Sequence, residues 1–188
     1  MKISGRASEI ISRLKGTCIA VEVGCGDGIT SASVLKSNAK AVVHMVDQWM
    51  PLNEVTEKYY LASNPYPVRT QKYWDEVKNK ALRNVEFAGE RAVIHYATSE
   101  KASQAFSNYS VDLVFIDAEH SYAAVLSDIS LWIDKVKIGG WLGGHDYGLP
   151  RFTGVKKAVD KQFGKSIITG KDSTWWVPIK HKRSVSRL

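Results

Sequence analysis

The chain has 188 residues, 44% of them hydrophobic and 24% charged, and its 26 lysines and arginines against 19 acids leave a net charge of +7. That length suits one α/β domain with a full core and is short for two. The opening residues Met1-Lys2-Ile3-Ser4-Gly5-Arg6 lack the apolar stretch of a secretory signal, and no window is long and apolar enough to span a bilayer, so a cytoplasmic location is expected.

From Cys18 onward, short apolar runs alternate with amphipathic segments, the pattern of βα units around a mainly parallel sheet. The first strand is predicted over 18–23. Cys18 and Cys25 flank it, and about 3.3 Å per residue holds them roughly 20 Å apart, beyond disulfide reach, so two reduced, buried thiols are expected. The strand breaks into Gly24-Cys25-Gly26-Asp27-Gly28, where glycines let the backbone turn sharply and approach a ligand. A dinucleotide fingerprint would place its third glycine at 29, which is Ile29, and Asp27 sets a negative charge in the loop against a phosphate. Glu22, Asp27 and the glycine loop together resemble motif I of the class I S-adenosylmethionine (SAM) methyltransferases.

A second strand, 41–47, ends in Asp47, about 20 residues past the loop, where a carboxylate can accept from ribose hydroxyls. Segment 49–69 follows. It lacks periodicity and carries Trp49, Pro51, Tyr59, Tyr60, Pro65, Tyr66 and Pro67, and it is read as a lid beside the ribose-binding strand end. A surface excursion with packed aromatics is the equal alternative. Asn64-Pro65-Tyr66 is similar to part of the Asn-Pro-Pro-Tyr signature of amino-methyltransferases, but it lacks a proline and lies in the lid, far from the fourth strand.

Further strands are predicted over 92–97, 111–117, 141–146, 165–169 and 174–179, with Gly170-Lys171-Asp172 turning the last two into a hairpin. His44 and His95 fall inside strands and are expected to be core or edge histidines. A helix over 121–136 aligns Tyr122, Val125, Ile129, Trp132, Ile133 and Val136 on one face, with Ser121 as cap. Gly139-Gly140 closes the approach to the next strand. The strands before and after this helix end in Asp117 and in His145-Asp146, and polar groups at the carboxyl ends of neighbouring parallel strands point into one cleft.

The phrases FIDAEHSY and GGHDY, followed by GVKKAVDKQFG at 154–164, resemble the methyltransferase domain 24 family, which is related to catechol-type and macrocin-type sugar O-methyltransferases. The likeness runs from Glu22 to about Trp176. It implies a Rossmann-like, seven-stranded, mainly parallel sheet with helices on both faces and a C-terminal antiparallel hairpin. It further implies SAM as cofactor, contacted by Glu22, Gly24, Gly26, Asp47, Gln48, Ala97, Thr98, Ser99 and Asp117. In metal-dependent relatives an Asp and an acidic pair hold a divalent cation, Mg²⁺ or Mn²⁺. Here Asp117, His145 and Asp146 occupy those positions, and the histidine departs from the oxygen ligands Mg²⁺ prefers. His120 stands where catechol-type enzymes carry a general-base lysine, and an imidazole with an ordinary pKa near 6.5 can do that work at neutral pH. Its plainer role is to cap the helix or bond a carboxylate.

The sequence thus reads as a SAM-dependent O-methyltransferase acting on a small-molecule or sugar hydroxyl, with His120, Asp117 and Asp146 at the chemistry. A nucleic-acid methyltransferase would draw on the basic surplus, part of which forms a tail over 180–188 with Lys180, Lys182, Arg183 and Arg187; the plainer reading of that tail is a solvated terminus. A non-catalytic SAM-binding module would keep the first half of the chain's features without the second.

Overall fold

In the computed structural model the described residues are 3–51 and 69–181, so most of the expected lid and tail lie outside them. Seven strands form one sheet in the order β3-β2-β1-β4-β5-β7-β6. These are β1 Cys18–Val23, β2 Ala41–Asp47, β3 Ala92–Tyr96, β4 Val111–Ile116, β5 Val136–Gly144, β6 Ile168–Thr169 and β7 Trp175–Pro178. The first five run parallel, and β7 is antiparallel to both β5 and β6. The order reverses between β1 and β4, which opens a crevice at the strand ends.

Alternation along β1 divides the core. Cys18 and Ala20 face the cluster built on α1 (Gly5–Arg13), α2 (Ile29–Ser37) and α3 (Gln71–Val85), while Val21 and Val23 face the opposite cluster. That second cluster rests on α5 (Tyr122–Trp132) and α6 (Thr153–Phe163), with the short α4 (Ser99–Ser103) beside them. Both cysteines are buried and free.

Differences from the expected elements are local. The helix expected over 121–136 ends at Trp132 and tightens into a 3₁₀ turn over Ile133–Lys135, and Ser121 caps its start by accepting from the Ala124 amide. β5 starts earlier than expected, at Val136, because Gly139 and Gly140 lie within it at a register shift opposite β4, with Gly139 at φ 86°. β6 keeps only two residues, since Gly164–Ser166 continues α6 as a 3₁₀ turn. Gly143 leaves room for Trp176, whose ring would lie 2.2 Å from an added Cβ, so the glycine pair of GGHDY serves packing. His44 and His95 bond each other at 2.8 Å across β2 and β3, and burial holds both below the ordinary imidazole pKa, His44 at about 4.

Candidate active site

The loops after β1, β2, β3 and β4, together with the inner face of α5, enclose a cleft of about 640 Å³. Gly24, Gly26, Asp47, Gln48, Ala97, Thr98, Ser99, Asp117 and His120 all line it. Gly24 is needed for the approach of two loops: at φ 82°, an added Cβ would sit 2.3 Å from the Asp117 carbonyl oxygen. Gly26, at φ 51°, has nothing within 4 Å of that position and leaves the cleft floor open.

Asp47 organises this floor. Its carboxylate accepts from the Gly26 amide at 2.9 Å and from the Trp49 amide at 2.8 Å, while burial pushes its pKa up against those bonds. Trp49 is fully buried and donates from its indole to the Gly26 carbonyl at 2.8 Å. It is therefore a core residue that pins the glycine loop, which corrects its assignment to the lid; residues 52–68 of that segment lie outside the described residues.

Two acids of the first motif turn away from the cleft. Glu22 is 4% exposed and accepts from the Ser31 hydroxyl on α2, and burial raises its pKa to about 8, so it braces the loop from behind. Asp27 pairs with Lys80 at 2.7 Å and accepts from the Ile29 amide at the start of α2. Its carboxylate is turned towards α3 and does not line the cleft.

At the other end, the strand-end residues converge. His120 donates from Nε2 to Asp146 Oδ2 at 2.7 Å, and His145 Nδ1 lies 3.0 Å from Asp146 Oδ1. Burial opposes ionisation of Asp146, but these two bonds outweigh it and hold the carboxyl well below its usual range. The same carboxylate lifts His145 above the ordinary imidazole value although burial works the other way. The His120 ring stacks on Phe152 with centroids 3.9 Å apart, and Gly154 leaves room for its backbone, where an added Cβ would lie 2.4 Å from the His120 carbonyl oxygen.

Two participants were not anticipated. Arg6, on α1, reaches Asp117 Oδ2 at 2.5 Å and Asp172 Oδ2 at 3.4 Å, and Asp172 comes from the β6–β7 turn at φ 56°. Burial raises the Asp117 pKa, with Arg6 as the largest opposing influence. The sequence held one signal for α1: Ser4 followed by Ala7, Ile10 and Leu14 at helical spacing, with Ser4 accepting from the Ala7 amide. Nothing local marked Asp172 as its partner.

Among the described residues, the donors that meet within 4.8 Å of one another are Asp117, His120 and Asp146. His145, expected in that set, instead lines the small cavity behind it, with its Nδ1 turned to Asp146 and 3.7 Å from Asp117. Two carboxylates and an imidazole suit Mn²⁺, Fe²⁺ or Zn²⁺ better than Mg²⁺.

Residues 21–147 match the model of the methyltransferase domain 24 family, described as a methyltransferase domain. No curated protein matches the chain in sequence. Among solved structures, the O-methyltransferase NovP is similar at a TM-score of 0.65 and 16% identity, with 94% of this chain and 80% of that one covered. A SAM-dependent O-methyltransferase from Thermotoga maritima gives 0.59 at 13% identity, covering 95% and 66%. A putative rRNA methylase from Clostridium thermocellum gives 0.60 at 11% identity, covering 91% and 92%. At these identities the likeness is one of fold.

Proposed function

The chain belongs to the methyltransferase domain 24 family and is a SAM-dependent methyltransferase, and on that premise we propose that it methylates a hydroxyl of a small molecule or sugar, with His120 as general base. The observation that carries this reading is His120 at the cleft wall with Asp146 paired behind it. An ionised carboxylate only accepts, so the proton of the neutral ring sits on Nε2 and leaves Nδ1 with a free lone pair. Nδ1 is buried and has no partner among the described residues, so an acceptor hydroxyl reaches it only by displacing the ring's present cover. Asp146 fixes the tautomer and stabilises the imidazolium that forms as the hydroxyl proton arrives. Bound SAM supplies a methyl group made electrophilic by the sulfonium, which passes to the acceptor oxygen in an in-line displacement. Gly24, Gly26, Asp47, Gln48, Ala97, Thr98, Ser99 and Asp117 are the chain's proposed contacts to it, and alignment is their contribution.

A second reading rests on the clustered donors. Asp117, His120 and Asp146 would hold a divalent cation, which supplies Lewis acidity to the acceptor hydroxyl. Binding it would draw Asp117 from Arg6 and Asp146 from its two histidines.

The whole chain is proposed to act as one cytoplasmic domain, with a lid running on from Met50 and a basic tail from Lys180. No helix among the described residues is long and apolar enough to cross a membrane. The deciding experiment supplies SAM with a deuterated methyl group to panels of hydroxyl, amine and RNA acceptors, with and without chelator, and reads products by mass spectrometry. Labelled ethers formed in chelator support the histidine-base reading. Loss in chelator with recovery on Mn²⁺ favours the cation. Label on RNA alone, with binding that weakens steeply with salt, would replace the small-molecule acceptor.

A further inference from the structure

The inward stripe of α5 is Val125, Asp128, Ile129 and Trp132, so a carboxylate occupies a core-facing position among apolar neighbours. Asp128 is 6% exposed and lines the same cleft, alongside Ala124, Ser127 and Leu131 of its own helix. Such a position is costly for an acid unless donors meet it. Burial raises its pKa to about 6, the neighbouring Ser99 draws it partly back, and the other charge bearing on it, Glu119, is of like sign. Ser99 Oγ accepts from the Trp132 indole N–H at 2.9 Å and keeps its own hydroxyl hydrogen for Asp128, one donor for a carboxylate that can accept several. Glu119 is committed elsewhere, accepting from the Ser121 amide and hydroxyl at 2.8 and 2.7 Å.

We infer that Asp128 is a cofactor-specificity residue, whose carboxylate accepts a hydrogen bond from the exocyclic amine of the adenine ring of SAM. The inference rests on the SAM reading of the cleft and deepens it. With the sulfonium facing His120 and the ribose at Asp47, the base extends towards Ala97–Ser99 and the α5 wall, where Asp128 stands. Ala97 and Leu131 offer apolar surface for the ring, and Asp128 offers an acceptor that an amine satisfies and a 6-oxo group does not. A carboxylate here selects adenine over hypoxanthine because the oxygen that faces the base is left unpaired with the wrong one, the larger of the two penalties in such discrimination.

The test is calorimetric and needs no acceptor or turnover. S-adenosylhomocysteine and S-inosylhomocysteine are titrated into the wild-type protein and into Asp128→Asn. The wild type is expected to prefer the adenine ligand by about 10- to 100-fold, as suits a hydrogen bond to a charged group. The Asn variant, which can donate as well as accept, should narrow that ratio to about threefold or less. Equal affinities in the wild type overturn the inference whether or not the variant folds, and so does an unchanged ratio in a folded variant. Failure of the wild type to bind S-adenosylhomocysteine at all would instead strike the SAM reading of the cleft, and the inference with it.

Discussion

The two ends of the cleft are built differently. At the glycine loop, Asp47, Trp49 and Gly26 satisfy one another through backbone amides, a carbonyl and one indole, and the acids Glu22 and Asp27 brace the loop from outside the cleft. At the strand-end cluster, Arg6, Asp117, His120, His145, Asp146 and Asp172 hold one another by side-chain charge. The first arrangement fixes a shape, and the second poises protons. The loop should therefore answer to steric changes and the cluster to changes of charge.

The largest effect on structure is expected at Gly24. In Gly24→Ala the Cβ meets backbone of the β4 loop at 2.3 Å and the residue keeps a positive φ, so neither side can yield cheaply. A stability loss of about 2–4 kcal/mol by denaturant unfolding, with SAM binding impaired, is expected. Asp47→Ala should weaken SAM binding by about 1.5–3 kcal/mol in calorimetry, since it removes acceptors from both ligand and loop; unchanged affinity would place the ribose elsewhere. Arg6→Met sharpens the contrast from the other end. It leaves Asp117 buried without its guanidinium and should cost on the order of 1–3 kcal/mol of stability, a range lowered for the partial exposure of Arg6. Its melting-temperature loss should shrink at acid pH as Asp117 is neutralised.

Glu22 gives the most diagnostic change. Its folded pKa, about 8, lies above the usual value near 4.3, so the native state holds a proton that the unfolded chain releases. Between those values stability falls as pH rises, by at most about 1.4 kcal/mol per pH unit from this group. Glu22→Gln keeps a polar partner for Ser31 and should flatten that slope in unfolding titrations. A slope that persists in the variant would mean that the carboxyl is ionised behind the loop.

The same contrast explains what the sequence disclosed. Strands β1 and β2 were legible to the residue because a β-branched run, a glycine loop and a terminal Asp are local signals. The Ser121 cap and the meeting of Asp117 with Asp146 followed from strand ends and parallel order. Arg6 and Asp172 could not be paired in this way, since 166 positions separate them and only packing of α1 against the β6–β7 turn brings them together. Asp27 shows the same limit: its place in the loop is local, but its partner Lys80 arrives from α3. The choice between His120 and His145 as third donor turned on side-chain direction, which strand periodicity leaves open.

The central claim is that His120, oriented by Asp146, takes the acceptor's proton without holding the cofactor. The most direct measurement compares SAM affinity by calorimetry with methyl-transfer rate in wild type, His120→Ala and Asp146→Asn. The account predicts Kd for SAM within about twofold of wild type in both variants, with kcat/KM lowered about 10²–10⁴-fold in His120→Ala. Near-normal turnover in His120→Ala, or loss of SAM binding in step with loss of rate, would contradict it.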